Sequence, residues 1–294
     1  MTDSIAYRLH DALPTLDAPV FVAMLTGWID ASGVAAAALA TVETEVGAHT
    51  LATFDSDLFI DYRARRPTME LRDGVNERLV WPAIELKVGR SAAGEDVVVL
   101  TGPEPDSAWR HFSDAATELA LQLGARMAVF LGAYPFATPH TRPTRLSTSS
   151  PSVELISTVP FLKNSVDVPA GMGAVLEHGF VAKGVPALGL WAQVPHYLGT
   201  MTYPASSVAL LDGFERMTGI AIDRSQLLAD AEIQRQRVDQ LVEANPEHRA
   251  MIQQLEAVYD AGEPSPTAIS FDENIPSGDD IAAEFERFLR DQGT

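Results

Sequence analysis

The run Val20-Phe21-Val22-Ala23-Met24-Leu25-Thr26-Gly27 decides the fold, because it is a short apolar segment that stops at a glycine. Such a run is typical of a strand buried on both faces of a sheet. Ser32 then follows as a helix N-cap residue, and an alanine-rich helix is predicted over Val34–Val46. Strand, glycine loop and helix together predict a βα unit, the building block of layered α/β proteins.

The same pattern returns along the first 222 residues and predicts one α/β core domain over 1–222. Further strands are predicted at Val97–Leu100, Met127–Leu131 and Ala187–Gln193, and helices at about Asp106–Leu123, Gly171–Lys183 and Tyr203–Thr218. Residues 49–90 differ, because short strand candidates alternate there with Asp, Gly and Pro. They lie at Leu51–Phe54, Leu58–Tyr62, Thr68–Leu71 and Leu79–Val88. This segment is either a β-rich insertion or a meander on the sheet edge.

The C-terminal region is predicted to be helical. From Asp223 apolar residues follow one helical stripe, and Asn245-Pro246 interrupts it, so we predict a helical hairpin or arm over 223–262 with Asn245 as a cap. Residues 263–294 read as a linker followed by a docking helix at Asp279–Leu289. That helix would carry four apolar side chains on one face, namely Ile281, Phe285, Phe288 and Leu289.

Composition excludes several classes of protein. The 294 residues contain no cysteine, which removes disulfides, thiol nucleophiles and cysteine zinc sites. The net charge of −19 disfavours nucleic acid as a partner, and residues 212–294 alone hold 18 acidic and 7 basic residues. No apolar run approaches the roughly 20 residues that span a bilayer, and the first residues lack a secretory pattern, so we expect a cytoplasmic protein without a membrane partner.

The familiar catalytic and cofactor motifs are absent from the sequence. It contains no Walker A loop, no G-x-G-x-x-G, no G-x-S-x-G and no H-E-x-x-H. The seven histidines show no metal-ligand spacing, so neither a metal site nor a cofactor is predicted. The candidate residues therefore come from the loops that follow the predicted strands, where open α/β sheets bind ligands.

Two of these loops carry charged candidates. In the loop 27–33, the backbone from Gly27 and the helix start could hold an anion, and Asp30 could act as a base or bind a sugar hydroxyl. The favoured alternative is a tight turn with a capping acid. In the long polar loop 135–151, His140, Arg142 and Arg145 suit phosphate or carboxylate recognition. The alternative there is a solvated loop, or one that contacts another subunit.

Two further loops complete the set. Gly171 and Gly173 open a predicted helix and would permit close approach of a ligand or of another helix, and packing is the favoured reason. His196 and Tyr197 directly follow a strand. His196 could be a general base or a ligand-binding group, and the alternative is a hydrogen-bonded structural histidine.

Four motifs of this sequence occur in the same order and at similar spacing in a known family. They are Gly27-Trp28-Ile29-Asp30-Ala31, His140-Thr141-Arg142-Pro143, Gly171–Gly173 and Val194-Pro195-His196-Tyr197. From about Val20 to Leu228 the chain resembles the proteasome assembly chaperone type 2 family, in its bacterial branch. The resemblance implies a phosphorylase/hydrolase-like three-layer α/β sandwich with a mixed sheet, a homo-oligomer and no established catalytic activity. Some relatives engage the proteasome through a C-terminal hydrophobic–Tyr–any-residue tail, whereas this sequence ends Arg290-Asp291-Gln292-Gly293-Thr294.

Two functional hypotheses follow. The first is a non-catalytic, oligomeric binding or scaffold protein, resembling a proteasome assembly chaperone, with itself (as a trimer) and a proteasome-related protein as partners. The second is an enzyme or small-molecule binder that takes an anionic or nucleoside-like ligand at the strand-end rim. A closed pocket shared by Asp30, His140, Arg142 and His196 would favour the second hypothesis.

Overall fold

A computed structural model of the chain describes residues 6–262. Ten strands and eight helices lie in this part of the chain. The strands are β1 (Tyr7–Leu9), β2 (Val20–Thr26), β3 (His49–Phe54), β4 (Thr68–Arg72), β5 (Val75–Val80), β6 (Glu85–Arg90), β7 (Asp96–Pro103), β8 (Met127–Phe136), β9 (Leu146–Ser149) and β10 (Ala187–Pro195). The helices are α1 (Val34–Glu45), α2 (Ser56–Phe59), α3 (Trp109–Gln122), α4 (Val153–Thr158), α5 (Met172–Ala182), α6 (Pro204–Thr218), α7 (Ser225–Glu243) and α8 (Pro246–Asp260).

Eight strands form one mixed sheet in the order β1-β3-β6-β7-β2-β8-β10-β9. The four central strands β7, β2, β8 and β10 are parallel, and the outer strands are antiparallel to their neighbours. The predicted β-rich segment therefore divides. Strands β3 and β6 extend the sheet edge, while β4 and β5 form a separate two-stranded hairpin.

Helices cover both faces of the sheet and create two cores. Because neighbouring residues of a strand face opposite ways, Val20 and Val22 pack in one core and Phe21 and Ala23 in the other. Helices α1 and α6 close the first core, and α3 and α5 close the second. Burying one large apolar side chain is worth roughly 1.5–3 kcal/mol, so both layers stabilise the sheet strongly. The predicted three-layer α/β architecture with a mixed sheet is confirmed.

The C-terminal helical arm is also present. Helix α7 packs on α6 and contributes Val238 to the first core, and the side chain of Asn245 caps α8 by accepting a hydrogen bond from the backbone N–H of Glu247 at 2.9 Å. Whether residues 1–222 and the arm are separate domains stays a prediction. The predicted linker and docking helix at 263–294 lie outside the described residues. Within residues 6–262, no helix is both long and apolar enough to cross a membrane.

Four local predictions are wrong, each for a physical reason. Ser32 does not cap α1, because Gly33 precedes that helix and Asp30 accepts the hydrogen bonds from its first backbone N–H groups. The sequence predicts a strand at Leu58, but this residue lies in the short helix α2, because Asp55 accepts a hydrogen bond from the backbone N–H of Asp57 at 3.0 Å and starts a helical turn. The predicted strand Leu79–Val88 is interrupted at Pro82, which has no backbone donor for a ladder. The polar loop 135–151 contains β9, which pairs antiparallel with β10 at the sheet edge.

Candidate functional site

The loops chosen from the sequence do follow strands that end together. Thr26 pairs with Pro103, and Phe136 pairs with Pro195, so the four parallel strands reach the same edge of the sheet. We call this edge, with its loops 27–33, 104–108, 137–145 and 196–203, the rim. Two rim loops are joined directly, since the Ser32 hydroxyl donates to the Leu198 carbonyl at 3.1 Å.

Asp30 is a capping acid for α1. Its two carboxylate oxygens accept hydrogen bonds from the backbone N–H groups of Ala35 at 2.8 Å and Ala36 at 3.1 Å. Partial burial raises the pKa of Asp30, and these two bonds oppose that rise. The geometry thus matches the turn-and-cap alternative, and a ligand role for Asp30 stays a prediction.

Gly27 is required by the approach of an arginine that sequence reasoning missed. Its backbone has a φ of +126°, and a Cβ placed there would lie 2.7 Å from Nη2 of Arg65. The Arg65 guanidinium pairs at 3.2 Å with Asp106, which lies in the rim loop 104–108. Arg65 comes from the segment between α2 and β4, and no sequence pattern linked it to the rim.

Glu104 is a second acid that the sequence reasoning did not select. It follows β7 as Asp30 follows β2, is only 6% exposed, and accepts a hydrogen bond from the backbone N–H of Met172 at 2.5 Å. Burial raises its pKa, while that bond and the positive charge of Arg65 oppose the rise. Its position immediately after a buried strand was the available signal.

The close approach of another side chain accounts for Gly171 but not for Gly173. A Cβ at Gly171 would lie 2.8 Å from Cδ1 of Trp28, so the glycine makes room for the indole ring above the start of α5. A Cβ at Gly173 would lie 3.8 Å from Phe130, an ordinary contact. Trp28 itself is 46% exposed and remains accessible from solvent.

His140 and Tyr197 form the closest link between predicted site residues. The Tyr197 hydroxyl accepts from the backbone N–H of His140 and contacts its Nδ1, both at 2.7 Å, and His140 Nε2 lies 3.1 Å from Oδ1 of Asp239 on α7. An ionised carboxylate only accepts hydrogen bonds, so a neutral His140 carries its proton on Nε2. Its Nδ1 then accepts from the Tyr197 hydroxyl. Burial raises the pKa of Tyr197, which keeps the hydroxyl protonated as this donor.

His196 stands apart from this chain of hydrogen bonds. It is exposed, its Nδ1 lies 3.4 Å from the Phe136 carbonyl oxygen, and its ring centroid is 5.4 Å from that of Tyr197. No hydrogen bond within residues 6–262 joins Asp30 to His140 or to either loop arginine. Asp30, His140, His196 and the two loop arginines therefore lie along one edge of the sheet, but hydrogen bonds do not join them into one cluster.

The two arginines of the loop 137–145 hold the arm. Arg142 binds both carboxylate oxygens of Asp260, through Nε at 2.8 Å and Nη2 at 2.7 Å, and donates from Nη1 to Glu256 at 3.0 Å. Its hydrogen bond lowers the pKa of Asp260. Arg145 donates to the Tyr259 carbonyl at 2.8 Å, and its guanidinium lies 3.7 Å from the Tyr259 ring centroid. Helix α8 thus occupies this part of the rim.

The chemistry of the rim is hydrogen bonding and charge pairing. Across the described part of the chain, no group of three or more His, Cys, Asp or Glu side chains could hold a metal ion. The two acids that follow strands cap helices, and the two loop arginines contact helix α8 of the same chain. The arrangement can bind and orient protein segments.

The fold and the rim define a three-layer α/β protein whose C-terminal helices pack over the carboxyl ends of its parallel strands. A family model described as "PAC2 family" matches residues 24–242. The chain belongs to the PAC2 family.

Solved structures of bacterial proteins share this fold along most of their length. A Corynebacterium glutamicum protein of unknown function is 27% identical with a TM-score of 0.81, covering 88% of this chain and 98% of that one. The Mycobacterium tuberculosis protein Rv2125, called a proteasome-assembly chaperone homologue, is 30% identical with a TM-score of 0.73, covering 79% and 99%. PbaB of Pyrococcus furiosus, an archaeal proteasome activator, is 16% identical with a TM-score of 0.58, which shows the fold alone. A comparison with curated proteins finds no match.

Proposed function

We propose that this protein is a non-catalytic, homo-oligomeric binding or scaffold protein of the cytoplasm, with a role like that of a proteasome assembly chaperone. The observation that carries the proposal is the engagement of the rim by the chain's own arm. Arg142 contacts Glu256 and Asp260, and His140 contacts Asp239, so the side chains suited to an anionic ligand already have protein partners. The trimer remains the favoured oligomer.

The family supports the same proposal. Rv2125, which is 30% identical and is matched over 99% of its length, is called a proteasome-assembly chaperone homologue. A chaperone of this kind needs surfaces for other proteins and no reacting group. A rim built of capping acids and arm contacts agrees with that requirement.

The test combines the mass of the protein with its effect on proteasome assembly. Light scattering at micromolar concentrations should give a multiple of the chain mass. Purified protein should bind the proteasome subunits of its own organism and speed formation of the core particle on native gels. A monomer would contradict the oligomer, and an oligomer that neither binds the subunits nor changes the assembly rate would contradict the proteasome role.

A second candidate function, small-molecule binding, is favoured by one cleft beside the rim. The cleft measures about 380 Å³, and its lining includes Arg145, Arg216 and the apolar side chains Leu146 and Phe161. One acid, Asp212, also lines it and is paired with Arg224 at 2.8 Å. Neither Arg145 nor Arg216 lies within ion-pair distance of a carboxylate of residues 6–262. A volume in the range of roughly 300–1,000 Å³ is typical of ligand sites.

Calorimetric titration with phenyl phosphate tests this candidate. Binding should be saturable and should weaken at least about tenfold in Arg145→Gln and Arg216→Gln, whereas Arg110→Gln, an exposed site on α3, should bind like the wild type. Inorganic phosphate should bind more weakly, because it leaves the apolar lining uncovered. Equal binding by all three variants would exclude the cleft as the site.

A further inference from the structure

The hairpin of β4 and β5 presents apolar side chains that nothing in the described chain covers. Its two strands pair with each other and with no strand of the main sheet. An isolated two-stranded hairpin is marginally stable in water, so it needs a packing surface to persist. The exposed large apolar residues of this segment are Met69 at 50%, Leu71 at 50%, Val75 at 60%, Leu79 at 44%, Val80 at 43% and Trp81 at 51%.

The hairpin is amphipathic, with one apolar face. Met69 pairs with Leu79 in the ladder, and Leu71 lies two residues along β4, so these three side chains share a face. The opposite face carries the ion pair between Arg78 and Glu70, at 2.8 Å. This face also carries the exposed Val75 and Val80, which pair with Arg72 and Thr68, so its polarity is mixed. The face of Met69, Leu71 and Leu79 is the one that suits a protein surface.

The base of the hairpin is tied to the rim. Trp81 packs edge-on against Tyr62 with ring centroids 4.7 Å apart, and Arg65, three residues after Tyr62, contacts Gly27. Trp28, next to Gly27, is also exposed. The hairpin is therefore anchored to the core at one end, while its apolar face stays uncovered.

The charge of this segment identifies its partner. Residues 66–81 contain three arginines, at 66, 72 and 78, and three acids, at 70, 73 and 77, so their charges cancel, whereas the whole chain carries −19. Two copies of such an acidic chain repel each other and approach most easily where the local charge is zero. A face that needs constant cover also requires a partner that is always present with the chain, and another copy meets that condition.

We propose that the face formed by Met69, Leu71 and Leu79 is a self-association surface, covered by a second copy of this chain. The proposal rests on the homo-oligomer proposed above and adds the surface that builds it. The two edges of the hairpin, which carry no third strand in the described chain, also leave backbone groups free to pair with the neighbouring copy.

The first arm of the test measures mass. The double variant Leu71→Glu with Leu79→Glu should shift the protein to a smaller species in sedimentation, because it places charges in the contact. The variant should keep the circular dichroism spectrum of the folded protein, since neither residue belongs to either core. Val153→Glu, an 84% exposed apolar site on α4, is the matched control and should keep the wild-type mass.

The second arm measures coverage directly and uses the absence of cysteine from the chain. In Leu71→Cys, maleimide labelling should be at least about tenfold slower than in Val153→Cys, and adding Leu79→Glu should restore fast labelling. Slow labelling that persists in a monomer would assign the face to another segment of the same chain and overturn the proposal. The proposal would also be overturned if Leu71→Cys were labelled quickly in an oligomer and the double variant Leu71→Glu with Leu79→Glu kept the wild-type mass. That result would leave the proposed homo-oligomer intact, because another surface would then form it.

Discussion

Glu177 offers a sharp test of the packing between α5 and the sheet edge. Glu177 is 3% exposed, and within residues 6–262 its only hydrogen-bond partner is the Ser149 hydroxyl, which lies 3.3 Å from each carboxylate oxygen. Burial raises its pKa from 4.5 to about 8, and the bond from Ser149 opposes the rise only weakly. At neutral pH the folded protein therefore keeps a proton on Glu177 that the unfolded chain releases.

The replacement Glu177→Gln removes this titration while keeping the shape of the side chain. Because the folded pKa is raised, the wild type loses stability as pH rises from 4.5 to about 8, and the loss is complete above that range. Each pH unit of this interval lowers the free energy of unfolding of the wild type by up to about 1.4 kcal/mol, so the loss over the whole interval is at most about 5 kcal/mol. Relative to the wild type, the variant should thus gain stability steadily across this interval.

Urea unfolding followed by circular dichroism, from about pH 5 to about pH 9, measures the difference in free energy of unfolding. Glu118→Gln is the control for loss of one carboxylate, since Glu118 lies exposed on α3. A constant difference between Glu177→Gln and the wild type across this pH range would refute the reasoning, because it would mean that Glu177 titrates alike in the folded and unfolded chains.

Two further substitutions, each with a control substitution, test the rim. Gly171→Ala should lower the free energy of unfolding by about 1–3 kcal/mol and shift the fluorescence emission of Trp28, whose ring occupies the space of the new methyl group. The control Gly173→Ala should be neutral or stabilising. Equal melting temperatures for the two variants would contradict the close approach of Trp28 to Gly171. Tyr197→Phe should lower the free energy of unfolding in urea by about 2–4 kcal/mol, because it leaves the backbone N–H and the Nδ1 of His140 without a partner. The control Tyr203→Phe should cost under about 1 kcal/mol, because the Tyr203 hydroxyl bonds to no described residue. Similar losses in the two tyrosine variants would contradict the hydrogen bonds between Tyr197 and His140.

The central sheet could be predicted because its strands are buried on both faces. Val20–Leu25 and Val97–Leu100 read as continuous apolar runs, and a parallel sheet between helix layers is the structure that produces such runs. The short edge strand Leu146–Ser149 could not be predicted in the same way. It pairs with β10 on one side and with the single residue Leu162 on the other, and it carries Ser and Thr, so its sequence resembles a polar loop.

Candidate residues could be found from their positions after strands, but their partners could not. His140 and Tyr197 were both selected, yet their contact joins positions 57 residues apart, and Asp239 comes from a helix about a hundred residues beyond His140. Arg65 has no local pattern at all. Contacts between residues so far apart in sequence depend on the packed structure and have no local sequence pattern. Glu104 could have been predicted, because it follows a buried strand as Asp30 does.

The acidic bias of the C-terminal region has a structural use as well as an effect on solubility. In a chain of net charge −19, an arm rich in carboxylates would be repelled from the core unless it met positive charge. The loop after β8 supplies that charge through Arg142, which contacts Glu256 and Asp260. An anion from solution would have to compete with carboxylates held on the same chain, at an effective concentration that free ligand reaches with difficulty. Arg142, which suggested a ligand site from the sequence, is thus better suited to fixing the arm in place.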